Sequence, residues 1–469
     1  MGRTAVVILL LVFSSWRMTM GEGEGEGEGG GGGGSRRGLF ILEKAEQVVR
    51  SEGGEVRVVK GFGFPEAWPE GWGWGLAGGR RGLMHIGFIA MEPNTLFVPH
   101  YLDSSLVIFV RRGDVKVGWI YKDALVERQL KMGDIIHIPS GSTFYMVNTG
   151  KGQRLQMICS IDASESLGWS PYQAFYVGGG THPQSVLAGF DSATLAVAFN
   201  VTTEELHTLL RSRTAGPIVY VTGEAAERQP RRERDLDRRG EGGEEINGSW
   251  TWRKLLNGIL GGKSNAEDKD KGKAVRSPDP YNLYDHDPDY RSKYGWTIAL
   301  GEDDYHPLKH SDIGVYLVNL TAGSMLAPHV NPTATEYGVV LGGSGTIQVV
   351  FPNGTTAMNA EVAAGDVFWI PRYFPFCQIA SLSGPLEFFG FTTSARRNRP
   401  QFLIGQSSVL RAMVGPELAA GFGVSEEQLR DVVEAQKESI ILPSWPEKER
   451  RGGGRGEEEL LLINKIAFA

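Results

Sequence analysis

The sequence predicts an all-β protein with helical arms: two jelly-roll β-barrels in tandem, each followed by a small helical extension. Three observations lead there. The chain repeats itself at fixed offsets. Each repeat consists of short β-rich runs cut by Gly, Pro, Asn and Asp, and helical periodicity comes only after the strands of each repeat.

The repetition is explicit. GDIIHIPSGSTF begins at Gly133 and GDVFWIPRYFPF at Gly365, 232 positions later. Further on, the SVL at Ser185 faces the SVL at Ser408, Leu195 faces Leu418, Phe199 faces Phe422, and VTTEEL from Val201 faces VSEEQL from Val424, all at an offset of 223. A single offset held over such a span marks an internal duplication. The strand-like runs are VRVVKG, LVIFVRRGDVKVGWIY and DIIHIPS in the first copy, and GVYLVNL, YGVVLGGSGTIQVVF and DVFWIPR in the second. Many short strands with such punctuation close into a sandwich or barrel that leaves few edges exposed. Thr202 and Ser425 are expected helix N-caps before acid-rich first turns. Leu206, Leu209 and Leu210 then form one apolar stripe, and Leu429, Val432 and Val433 the other.

Composition limits the function. The 469 residues are 41% hydrophobic with a formal net charge of -7, enough apolar material for real cores and too acidic for a phosphate-backbone binder, so nucleic acid is not an expected partner. The two cysteines, Cys159 and Cys377, lie in apolar stretches and read as buried thiols. Arg3 followed by the apolar run Ala5 to Phe13 is half the length of a membrane span and fits a secretory signal over 1–21; no other run could cross a membrane. A Gly/Glu-rich segment follows over 22–37. The expected organisation is then a first domain with its arm over 38–223, a charged flexible linker over 224–276, a second domain with its arm over 277–446, and a charged tail over 447–469. Inside the linker, WTWRKLLNGIL carries helical spacing and reads either as a docking helix or as a transient one. Four glycosylation sequons, at Asn200, Asn247, Asn319 and Asn353, agree with passage through the secretory pathway.

Several stretches are more specific. NTLFVPHYLDSSLVIFVRRGDV in the first copy, LTAGSMLAPHVNPTATEYGVVLGGSGTIQVVFPNGT and GDVFWIPRYFPFCQIAS in the second, and the flanking PYNLYDHDPDYRSKYGW and RRNRPQFLIG resemble the vicilin-like (7S globulin) seed storage proteins of the bicupin family. The resemblance implies two cupin jelly-roll β-barrels, homotrimers joined head to tail through the helical arms, deposition in protein storage vacuoles, and a nutrient-reservoir role without catalysis. The terminal IAFA resembles the short hydrophobic vacuolar-sorting signals of that family.

Catalytic cupins hold a metal with two His and a Glu from one strand pair and a third His from a later strand, and an open first-row site needs three or four such donors. In the second copy His329 stands at the first ligand position, Asn331 replaces the second His, Glu336 keeps the acid, and Phe376 replaces the last His. In the first copy only His100 is kept; Leu102, Leu106 and Phe144 fall at or near the other positions. His329 and Glu336 therefore form an incomplete metal site, and the expectation is no cofactor, with the two side chains hydrogen-bonded to each other inside the barrel. The alternative is a metal- or small-ligand-binding cupin, with oxidoreductase activity as its extreme form. Some vicilins, by the resemblance, bind copper through His, Cys and Tyr, which makes Cys377 a possible extra ligand. Because neighbouring strand residues face opposite ways, Cys377 enters the cavity only if Phe376 leaves it or a bulge intervenes, and Tyr337 stands in the same relation to Glu336. His306 and His310 have helical metal-pair spacing, but Pro307 between them favours a surface loop. His182 and His207 read as structural, and the chain holds no phosphate loop, GxSxG elbow or HExxH helix.

Overall fold

The computed structural model describes residues 38–42, 45–61, 84–122, 124–164, 166, 171–212, 215–221, 277–396 and 399–444. The expected signal, the Gly/Glu-rich segment, the linker with its WTWRKLLNGIL stretch, Asn247 and the tail lie outside these residues.

Antiparallel strands form two barrels. The first pairs a seven-stranded sheet with a six-stranded one. The larger sheet runs, in spatial order, through Tyr281–Asn282, Asp134–Ile138, Leu106–Arg112, Leu155–Asp162, Met84–Met91, Gly54–Val59 and Ala45–Ser51. The smaller runs through Ala174–Tyr176, Thr95–Leu102, Phe144–Asn148, Val115–Tyr121 and Ala124–Leu130, with Ile218–Tyr220 also paired to Thr95–Leu102. Alternate residues of both sheets fill the interior, among them Val56, Ile89, Phe97, Ile108, Val117, Trp119, Phe144 and Met157.

In the second barrel one fifteen-residue strand, Glu336–Val350, serves both walls. Its first half pairs with Leu386–Thr392 and Val367–Ile370, and its second half with Thr356–Ala363 and Phe376–Ala380. The corner falls where the register shifts between Val340 and Gly342. Gly343 there has φ +76°, and a Cβ on it would lie 1.7 Å from the Pro385 carbonyl oxygen, so only glycine lets the strand turn from one wall to the other.

The duplication is visible in the turns. Gly133 and Gly365 have φ of +93° and +100°, and each is followed by an Asp that closes the turn. Asp134 Oδ2 accepts from the Lys131 amide at 2.7 Å, and Asp366 Oδ2 from the Ala363 amide at 2.8 Å. The barrels also exchange short strands. Ile41–Leu42 pairs with Val367–Phe368 of the second barrel, while Tyr281–Asn282 pairs with Asp134–Ile135 of the first. Between the barrels Phe109 and Phe389 stack at 4.0 Å, and Arg111 Nη2 donates to the Leu341 carbonyl at 2.7 Å.

The arms follow. In the first, α1 (Ser192–Phe199) is capped by Asp191 and ends on Asn200 in the left-handed conformation. The next helix, α2 (Thr203–Arg211), opens with a capping box between Thr202 and Glu205. The second arm holds α3 (Val409–Ala412), α4 (Pro416–Phe422), which ends on left-handed Gly423, and α5 (Glu426–Glu434), capped by Ser425. The two expected N-caps are thus in place, and the left-handed residues Asn200 and Gly423 correspond at the same offset of 223.

Leu206 and Leu429 are buried beneath the arms, but the rest of each stripe is not. Phe190, Phe199, Val201 and Leu209 are exposed in the first arm, and Met413, Phe422, Val424 and Val432 in the second. These are four pairs of equivalent positions, each 223 apart.

Candidate functional site

Each barrel keeps one of the histidines that stand at cupin ligand positions, His100 and His329, and the two are held in the same way. His100 lies on Thr95–Leu102 with its Nδ1 2.7 Å from the Val98 carbonyl oxygen, two residues back. His329 lies on Ser324–Val330 with its Nδ1 2.7 Å from the Ala327 carbonyl oxygen, again two back. The cross-strand partners are Phe144 and Phe376, the residues standing where a last histidine ligand would be. Ring centroids are 4.3 Å apart for His100 and Phe144 and 4.0 Å for His329 and Phe376. Phe97 adds a second ring against His100 at 4.3 Å, and Phe402 against His329 at 5.2 Å. Burial disfavours the imidazolium, so both histidines fall to about 4 despite the acceptor carbonyl that favours a proton. A void of ≈ 20 Å³ beside His100, also lined by Tyr172 and Tyr176, has room for about one water molecule.

Glu336, at the start of the long strand, does not bond to His329 as the sequence suggested. Asn331 Nδ2 donates to Glu336 Oε1. Tyr316 lies beside the same carboxyl, close enough to couple to it but not aligned as a hydrogen bond. Burial lifts Glu336 to about 7, and Asn331 and Tyr316 offset part of that rise. Tyr316 goes well above the ordinary phenol range, through burial first and the carboxylate second. The asparagine that replaced a histidine ligand therefore serves as the carboxyl's donor, a role legible only once the geometry is known. Gln378, buried on the Phe376–Ala380 strand, was not anticipated either; neither atom of its amide finds a hydrogen-bond partner among the described residues.

This carboxyl makes stability depend on pH in a defined direction. A pKa raised on folding gives a contribution fully present below the unfolded value of about 4.5 and lost as pH rises through about 7. Glu336→Gln removes that loss, so the variant should gain about 2–4 kcal/mol over the parent above pH 7 and nothing near pH 4. Urea unfolding of both proteins across that range checks it; a constant difference would contradict the assignment.

A His, Cys and Tyr centre does not fit this barrel. Cys377 is buried and uncharged, its thiol lifted to about 11 by burial, and its Sγ lies 3.7 Å from Gln348 Oε1 on the opposite face from Phe376. The Tyr337 hydroxyl donates to the Gly61 carbonyl at 3.4 Å, also away from Glu336. Both cysteines are free. Among the described residues no three His, Cys, Asp or Glu side chains converge as metal ligands. His306 and His310 sit in a 3₁₀ turn rather than an open loop, their rings 5.9 Å apart, with Pro307 in its first turn. That turn faces His137, which burial and then the nearby His310 lower to about 4. Among the described residues, no helix is long and apolar enough to cross a membrane.

Two tandem jelly rolls, each with a ligand-position histidine held by a backbone carbonyl and faced by a cross-strand phenylalanine, define a bicupin. The cupin family model matches residues 77–207 and 281–430, more than half of the chain. A vicilin-like seed storage protein of Arabidopsis thaliana is 52% identical over 434 residues, covering 87% of this chain and 81% of the relative; a second from the same plant is 31% identical, with 78% and 69% covered. Hazelnut vicilin, from Corylus avellana, superposes with a TM-score of 0.69 at 22% identity, covering 87% of this chain and 99% of its own. The chain belongs to the vicilin-like seed storage globulins of the cupin family.

Proposed function

We propose that the chain is a seed storage globulin working as a homotrimeric nutrient reserve, without catalytic turnover and without a resident metal. The storage role accords with its vicilin-like relatives. The observation that carries the non-catalytic reading is the pair Phe144 and Phe376, each packed on the ligand-position histidine of its barrel where a metal would need another ligand.

The trimer is supported by the arms. Each chain presents two equivalent apolar faces, centred on Phe199 and Leu209 and on Phe422 and Val432. A second copy is the partner these faces suit, because joining the first arm of one chain to the second arm of the next gives a heterologous contact that closes as a ring. Three chains then place six similar units around the axis. The secretory signal over 1–21 and storage in a vacuole complete the reading. Glycans are assigned to Asn200 and Asn353, both exposed, and not to half-buried Asn319, whose side chain lies beside the Glu387 carboxyl. The charged composition of 224–276 makes that segment the expected first site of proteolysis.

A reserve is defined by quantity. Quantitative mass spectrometry through seed filling and germination should show the protein rising to an abundant plateau and then disappearing. A constant trace level would overturn the storage role.

A further inference from the structure

A cavity of ≈ 100 Å³ lies on the outer face of the first barrel's larger sheet, apart from both histidines. Four adjacent strands contribute to it. Ala90 stands in register with Glu55 on one side and Gln156 on the other, and its short side chain leaves the gap between longer neighbours. Three arginines line the cavity, Arg57, Arg111 and Arg154, against one carboxylate, Glu55. Three guanidinium groups thus surround one space, with Glu92 and Glu387 reaching Arg154 and Arg111 from outside the lining.

The carboxylate holds the arginines without saturating them. Glu55 Oε1 is 3.4 Å from Arg57 Nη2 and 3.8 Å from Arg154 Nη2, both ion pairs longer than an N–H···O hydrogen bond. Its Oε2 accepts from Gln47 Nε2 at 2.9 Å, which fixes the carboxylate in place. Arg154 Nε pairs with Glu92 at 3.0 Å, and Arg111 is oriented by the Leu341 carbonyl, with Glu387 near enough to feel its charge. Guanidinium forks from two strands, Gly54–Val59 and Leu106–Arg112, and from the turn before Leu155–Asp162 surround one space and suit a compact guest that offers acceptor oxygens in several directions.

We propose that this cavity binds a small multivalent oxyanion of the phosphate class. Titration calorimetry of the intact protein with inorganic phosphate at low ionic strength tests it, with chloride matched for ionic strength as control. The expected result is saturable binding with one site per chain, weakened about tenfold or more in Arg57→Gln/Arg154→Gln. Ala90→Leu, which fills the gap, should abolish it. Glu55→Gln removes the competing negative charge and should tighten binding several-fold, an outcome that damage to the fold cannot imitate. Absence of saturable binding, unchanged affinity in the double arginine variant, or weaker binding in Glu55→Gln would overturn the proposal.

Discussion

Leu209→Asp combined with Val432→Asp should leave the chain folded and monomeric. Both side chains are exposed in the single chain, at 59% and 71%, so the substitutions remove little that the barrels need, and the cost to chain stability should stay within about 0.5 kcal/mol. In the ring the same positions would be enclosed, and a carboxylate buried there without a partner costs several kcal/mol at every junction. With three junctions per ring the effect on assembly is far larger than on folding. Sedimentation velocity reads the size and circular dichroism the fold. A variant that still sediments as a trimer would place the junction elsewhere and remove the support that the matched arms give to it.

Phe109→Ala is the substitution expected to destabilise the chain most. Phe109 projects from the Leu106–Arg112 strand away from its own barrel and stacks on Phe389, and neither ring is exposed to solvent. Truncation removes a buried aromatic side chain and leaves a cavity that two sheets, fixed by their own hydrogen bonds, cannot close. The expected loss is about 3–5 kcal/mol. Because Phe389 packs edge-on against Phe391, the loss should reach the second barrel as well as the seam. Guanidinium denaturation followed by tryptophan fluorescence measures it; a loss below about 1 kcal/mol would mean that the barrels are not held together through this pair.

Much of this architecture could be read before any coordinates. The GD turns, the two SVL segments and the matched VTTEEL and VSEEQL stretches carried the duplication, because a turn that needs positive φ and a helix that needs a cap restrict residue choice locally. Phe144 and Phe376 were legible as substitutions at ligand positions. That each lies directly on its histidine depended on register, which hydrophobic alternation alone does not set between distant strands. The exchange of Ile41–Leu42 and Tyr281–Asn282 between barrels was hidden, since a two-residue strand has no periodicity and takes its partner from tertiary packing. Asn331 read as a lost ligand, whereas it is the donor that keeps Glu336 satisfied. The arginine cavity was the least visible feature, because Arg57 and Arg111 come from different strands and Arg154 from the turn before a third, so they form no linear motif.

The central claim is that these barrel walls are closed to catalysis by a resident transition metal. Its direct test is elemental analysis of the protein purified from seed without chelators. Copper, iron, manganese and zinc should each fall far below one atom per chain and be unchanged in His329→Ala. Occupancy near one atom per chain, abolished by that substitution, would contradict it.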